Sequence, residues 1–497
     1  MAGISAPTTD ISTETGFDLA EHWIGGGWTA SAGRETDEVI NPADGSVLGA
    51  IPRGTAADAE AGLAAAAAAL PGWSSAPRAD RVRAVQSWLR LIEADADFLG
   101  ALISREVGTP ARASRNVQVG LALDIARSAV AAFAAMELEE QRGNSVVRYV
   151  PAGVVAAITP WNVPMLLALQ KIVPALLVGC TVVLKPSELT PLHAVRLARL
   201  AQRSELPAGV LNIVFGDGAG VGSALAASPT ADLISFTGSV RAGKLVAAAA
   251  AANLSRVHLE LGGKSASLVL DDADLEQAVA ASIDQAMFNS GQACLQWSRL
   301  VVPRRLLPAA EELVSSIVAG YVVGDPADGG TDLGPLITSE AKARVTRAVE
   351  LGEQQGARRL IGDRPAAEGQ FFPPTVFTDV TETMALAQEE IFGPVVSLMP
   401  HDGDDDAVRI ANSTRYGLHG AVWSGSDERA GAVARRVRTG QLEINGGPFN
   451  PAAPFGGFKN SGIGRECGLD GLASFCEVQA LQYPVAGGRS VRSKAEG

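Results

Sequence analysis

Cysteine and histidine are scarce here: four and five in 497 residues. Cys180, Cys294, Cys467 and Cys476 form no C-x-x-C pair and the histidines are scattered, which argues against a zinc site, so no metal is expected. Basic charge is short too. A net charge of −13 argues against a phosphate-backbone binder, and no nucleic-acid partner is expected. The opening "MAGISAPTTDISTETG" has neither a basic segment nor an apolar one, so it does not look like a secretory signal. The alanine-rich run from Leu245 to Leu254, "LVAAAAAANL", is too short to span a bilayer and predicts a buried helix. No membrane partner is expected, and the simplest location is the cytoplasm, where a structural disulfide is not expected.

Two nucleotide fingerprints are also missing. "GSVRAGKL", Gly238 to Leu245, has leucine where a phosphate loop needs a hydroxyl for Mg²⁺. "GDGAGVG" puts Val221 where the third glycine of G-x-G-x-x-G belongs. A standard Rossmann turn is therefore excluded at this loop.

What is present fits a globular protein of two or three domains: 47% hydrophobic and 19% charged residues. "HWIGGGWTASAG" predicts a hairpin, and Thr55 caps a helix that Pro71-Gly72 should stop. Two amphipathic stretches follow, up to about Glu140. From Val146, β-branched runs ("VVRYVPAGVVAAIT", "TVVLKPS", "LNIVFG", "LISFTGS", "SASLVL") alternate with helical patterns, which predicts βαβ units and a parallel sheet. A second α/β region runs from about Leu268 to Glu443. "CEVQALQYPV" predicts a terminal strand with no helix after it, which must pair with another segment or another chain.

Some residue types at predicted strand ends suggest chemistry. Lys185 and Glu188 in "LKPSE" could grip a nucleoside or belong to a solvated loop. Glu260 ends an apolar strand, where burial would raise its pKa toward that of a general base, unless it is salt-bridged or capping. Asn162 in "TPWNVP" could donate to an oxyanion or simply make a turn. Gly238 and Ser239 in "FTGS" lie at a helix N-terminus, an anion site by geometry or a plain turn. Cys294 in "FNSGQACLQW" could be nucleophile, ligand, disulfide half or filler. Cys180 sits in an apolar strand entry as a small hydrophobe; Cys467 and Cys476 predict packing or surface roles.

The order and spacing of "TPWN", "KPSELTPL", "FTGS", "ELGGK", "GQAC", "EEIFGPV" and "PFGGFKNSGIGRE" resemble the NAD(P)-dependent aldehyde dehydrogenase superfamily, from about His22 to Val485. The resemblance implies an α/β fold in three parts. A Rossmann-type cofactor domain would cover 16–128 and 152–262, and a catalytic α/β domain 263–475. A small β oligomerisation arm would cover 129–151 and 476–494, after a polar tail at 1–15. It implies that Cys294 attacks the aldehyde, that Asn162 and the Cys294 N–H hold the oxyanion, and that Glu260 activates the water that hydrolyses the thioester. Lys171 and Glu466 match proton-relay positions.

For the cofactor, NAD with NADP as the alternative, the matching positions are Ile158, Thr159, Pro160, Trp161, Lys185, Ser187, Glu188, Gly218, Phe236, Gly238, Ser239, Leu261, Gly262, Glu390 and Phe392. Glu188 favours NAD, because a 2′-phosphate would meet a like charge. Val163, Leu167, Gln170, Ala293, Leu295, Trp297, Phe449 and Phe455 match pocket-wall positions, none of them cationic. An uncharged hydrophobic aldehyde is expected, with a semialdehyde as the alternative. Glu260 sets the chain apart from CoA-acylating relatives, and intact Cys294 and Glu260 argue against a non-catalytic binding or structural member. A homodimer or homotetramer is expected.

Overall fold

The computed structural model describes residues 19–362 and 368–484. The polar tail at 1–15 and the far end of the arm, 485–494, lie outside them.

Two sheets dominate. The first has eight strands in the order Gly462–Ile463, Arg256–Glu260, Leu233–Thr237, Val154–Ile158, Thr181–Lys185, Leu211–Ile213, Glu21–Ile24 and Gly27–Ala30. The five strands from Arg256–Glu260 to Leu211–Ile213 are parallel, and the outer ones are antiparallel. Strands 154–158, 181–185 and 233–237 are buried throughout, as near-continuous apolar runs in a helix-covered parallel sheet should be. The second sheet has seven strands: Arg358–Ile361, Thr375–Thr378, Val395–His401, Arg299–Pro303, Ala266–Val269, Gly420–Trp423 and Glu443–Ile444. All its pairings but the first are parallel.

The terminal strand Cys476–Gln482 pairs antiparallel with Ser145–Pro151, which also pairs with Glu139–Arg142. These three strands form a sheet of their own, and they fall within the residues expected to make the arm. The helix before it, Ala122–Ala135, runs past residue 128. At the other end, the chain returns to the first sheet after residue 455: Gly462 and Ile463 pair with Glu260 and Leu259, and Leu472 and Phe475 join the core of the first sheet.

Two local expectations need correction. The helix capped by Thr55 is Ala56–Ser75, and Pro71 lies inside it. Trp73, buried and donating to the Leu176 carbonyl at 3.1 Å, holds that last turn against the helix Pro164–Val178. The alanine run does form a helix, Val240–Ala251, but only Gly243 and Ala250 are buried, and Leu245 is 64% exposed. The stretch Ala111–Ala135 is long and apolar enough to cross a membrane, with mean hydropathy 1.4. Its Ala122, Ile125, Ala126 and Phe133 are packed in the core.

Candidate active site

A cavity of about 300 Å³ opens between the two sheets. Its wall combines the carboxyl ends of the first sheet's strands with the loop before Arg299–Pro303, where open α/β sheets place their ligands.

Cys294 follows the helix Leu275–Met287 and the tight turn Phe288–Gly291. Asn289, Ser290 and Gly291 all take positive φ, at 52°, 56° and 70°. A side chain at Gly291 would strike the Gly393 carbonyl. Hydrogen bonds fasten the turn. Ser290 Oγ donates to the Gly334 carbonyl at 2.8 Å, and the Ile337 N–H donates to Gln292 Oε1 at 2.9 Å. The loop is thus held rigidly and Cys294 faces the cavity, half-buried. Burial pushes its thiol up to about 12, with Glu390 and then Glu260 adding repulsion.

Asn162 precedes the helix Pro164–Val178, whose first residue is proline. Its Nδ2 donates to the Gln292 carbonyl at 2.9 Å, which leaves one amide hydrogen free on the cavity wall. Glu260 ends its strand between Thr237 and Gly462. It is buried, and neither of its oxygens has a hydrogen-bond partner among the described residues. Burial first, then the Glu466 carboxylate, hold its pKa well above the usual carboxylate range, against the pull of Lys171. Lys171 Nζ and Glu466 Oε1 form a fully buried ion pair at 2.6 Å.

At the other end of the cavity, Glu390 Oε1 accepts the Gly263 N–H at 3.0 Å, and burial raises Glu390 to about 7. A Cβ on Gly262 would overlap the other Glu390 oxygen, so a side chain there would displace the carboxylate. Phe392 stands edge-on to Trp161, with ring centres 5.5 Å apart.

The structure therefore brings Cys294, Asn162, Glu260, Pro160, Trp161, Gly238, Ser239, Leu261, Gly262, Glu390, Phe392 and Leu167 to one cavity. Ser239 Oγ caps the helix Val240–Ala251, and the Phe236 ring lies under Gly238. Ile158, Thr159, Lys185, Ser187 and Glu188 cluster at the neighbouring strand ends: Ile158 is opposite Lys185, the Thr159 N–H bonds the Lys185 carbonyl, and Lys185 Nζ meets Glu188 at 2.9 Å. Gly218 is exposed in the loop after Leu211–Ile213, apart from the cavity wall.

Among the expected pocket residues, Val163, Leu295 and Phe449 pack on the cluster that holds Leu167 and Phe455, and Phe449 contacts Phe455 edge-on at 6.2 Å. Ala293 is buried beside Cys294. One expectation needs correction. Trp297 points into the core of the second sheet, where it donates to His419 Nδ1 at 2.8 Å and meets Trp423 edge-on. Gln170, three residues after Leu167 on the same helix, donates to Cys467 Sγ at 3.3 Å and lines a small void with Cys467 and Leu472.

Thr237 and Arg344 line the cavity and were not expected. Thr237 sits inside "FTGS", between the named positions Phe236 and Gly238. Arg344 lies on the helix Ser339–Gln354, and no local pattern marks it. Among the described residues no group of three or more His, Cys, Asp or Glu side chains could hold a metal ion.

Comparison with known proteins agrees with this architecture. The model of the aldehyde dehydrogenase family matches residues 28–481. A 3-succinoylsemialdehyde-pyridine dehydrogenase from Pseudomonas sp. is 42% identical over 469 residues, covering 93% of this chain and 98% of the relative. A geranial dehydrogenase from Castellaniella defragrans is 36% identical, covering 94% of this chain and 99% of the relative. Among solved structures, a variant of aldehyde dehydrogenase C from Pseudomonas syringae, in complex with NAD⁺ and octanal, superimposes with a TM-score of 0.92 at 41% identity. It covers 93% of this chain and 96% of that one. The chain belongs to the aldehyde dehydrogenase family. It is accordingly an enzyme, an oxidoreductase acting on aldehydes.

Proposed function

We propose that this chain oxidises an uncharged, largely apolar aldehyde to its carboxylic acid with NAD, through a covalent adduct on Cys294. The observation that carries this is one cavity wall bearing a thiol, an amide with a free hydrogen and a carboxyl group with no partner.

A thiol pushed to about 12 needs a base at neutral pH. Glu260, with both oxygens free and its pKa raised by burial, is matched to take that proton. The thiolate attacks the aldehyde carbon and gives a tetrahedral thiohemiacetal. The Asn162 amide and the Cys294 N–H hold its oxygen. Collapse of the adduct releases hydride, for which bound NAD is the acceptor, and leaves a thioester on Cys294. Glu260 then takes a proton from water as the water adds to the thioester. The acid leaves and the thiol is restored. The buried Lys171–Glu466 pair lies where a proton can pass from Glu260 toward solvent.

The residues present fit NAD. Thr159 Oγ1 and Thr237 Oγ1 are buried at the strand ends without hydrogen-bond partners among the described residues, so they offer unused polar atoms to a bound nucleotide. Glu390 would hold the nicotinamide ribose, and Lys185 with Glu188 the adenosine ribose. The apolar wall of Leu167, Val163, Leu295, Phe449 and Phe455 supports the substrate class, and the relatives named for geranial and a pyridyl semialdehyde, with the neighbour bound to octanal, support it further. The cofactor and catalytic domains, the dimerising or tetramerising arm and a cytoplasmic location complete the proposal.

Cys294→Ala should bind NAD normally and form no NADH. Glu260→Gln keeps the shape and removes the base, so a single-turnover burst of NADH should outlast steady-state turnover. Residual turnover in Cys294→Ala would overturn the nucleophile. Burst and steady state falling together would place Glu260 earlier in the cycle. A kcat/KM series over octanal, geranial, the pyridyl semialdehyde and succinic semialdehyde tests the substrate class, and the carboxylate-bearing last member should be the poorest.

A further inference from the structure

The segment from Ala111 to Ala135 is α-helical at both ends but π-helical at Ser114–Leu121. Such a turn holds one extra residue and re-aims the side chains it carries. Here it carries Gln118, which is fully buried. Gln118 Nε2 donates to the Asn162 main-chain carbonyl at 2.8 Å and to Thr109 Oγ1 at 3.1 Å. The same carbonyl receives Asn289 Nδ2 at 3.1 Å, and Asn289 Oδ1 in turn accepts the Thr109 hydroxyl at 2.6 Å. On its other side, the Asn289 amide reaches the Gln292 carbonyl at 3.3 Å, the group that Asn162 Nδ2 also holds.

We propose that Gln118 is a positioning residue for Asn162: by clamping the Asn162 peptide it aims the side-chain amide at the aldehyde oxygen. This rests on the reading of Asn162 as an oxyanion donor. With two donors on its carbonyl, that peptide is fixed in tilt. With Asn289 alone it can swing, and the amide moves with it. Gln118 is not among the residues that line the cavity, so it touches no reacting atom; its direct hold is on the Asn162 peptide, and its bond to Thr109 steadies Asn289 on the same carbonyl. Gln118 Oε1 is buried without a hydrogen-bond partner among the described residues. Such an orphan acceptor costs stability, so packing alone would favour an apolar residue here. The N–H groups are what the site uses.

The test is a double-mutant cycle read on the single-turnover NADH burst, with octanal and saturating NAD. Gln118→Met keeps the length and loses both donors; Gln118→Leu is shorter and loses them too. Each is made in the wild type and in Asn162→Ala. In the wild type the burst should slow by about tenfold or more, since a misplaced catalytic group is costly. NAD affinity and the rate of Cys294 alkylation by iodoacetamide should change less than about twofold. In Asn162→Ala, already slow, the second substitution should cost less than about twofold, because the two act as one unit. Equal losses in both backgrounds, no loss in either, or NAD binding weakened in step with the burst would overturn the proposal. If Gln118→Met fails to fold, Gln118→Leu decides by the same criteria. A normal burst in Asn162→Ala alone would overturn the reading of Asn162, and this proposal with it.

Discussion

Glu390 is stabilised in its neutral form by burial, and that gives the cofactor-free protein a pH-dependent stability. Its pKa rises from 4.5 to about 7, so the folded chain binds a proton that the unfolded chain has lost. The contribution is complete below pH 4.5 and shrinks as pH climbs to 7. The loss is on the order of 3 kcal/mol. Glu390→Gln keeps an acceptor for the Gly263 N–H and removes the titration. The variant should melt higher than the parent above pH 7 and alike below pH 4.5, as measured by calorimetry without cofactor. Equal melting temperatures at pH 8 would show that water reaches the carboxylate. Glu188 bears on cofactor choice. Its pairing with Lys185 at 2.9 Å partly neutralises the charge a 2′-phosphate would meet. NAD should therefore be preferred by roughly tenfold to a few hundredfold, or about 1.4 to 3 kcal/mol. Glu188→Gln should raise kcat/KM for NADP relative to NAD, and an unchanged ratio would remove Glu188 from that role.

At the level of elements, what could be foreseen depended on whether the signal was local. The Thr55 cap and the alternation of strand and helix after Val146 are short-range patterns, and they survive in the fold, where Asp58 completes the cap. Pro71 was misjudged because its helix end is fixed by Trp73 docking on a helix a hundred residues later. The alanine helix was misjudged because a uniform run has no period to say which face is buried. Around the cavity, "ELGGK" and "GQAC" were legible through their order and spacing with the other motifs, which carry the family resemblance, and not one by one. Arg344 and Gln118 were not. Each is a single polar residue on a helix, and only tertiary packing brings it to the site. Trp297 shows the reverse: it sits close to Cys294 in sequence but turns away from the cavity.

At the level of the whole molecule, Cys476–Gln482 is an edge strand, with a partner on one side only. Val478 on it is 63% exposed. An open edge with an exposed apolar side chain invites a second chain. Val478→Asp should lower the assembled mass seen by light scattering; an unchanged mass would place the interface elsewhere.

The strand Gly462–Ile463 has a different consequence. It is the outer neighbour of Glu260, and it is drawn from almost the end of the chain. Domains fold largely in the order in which they leave the ribosome. Ser461, the residue before this strand, also accepts the Leu261 N–H and donates its hydroxyl to the Gly262 carbonyl, so the shell around the base and one wall of the cavity close together. A chain cut before Ser461 should therefore carry the thiol and the oxyanion amide on their own elements and still turn nothing over.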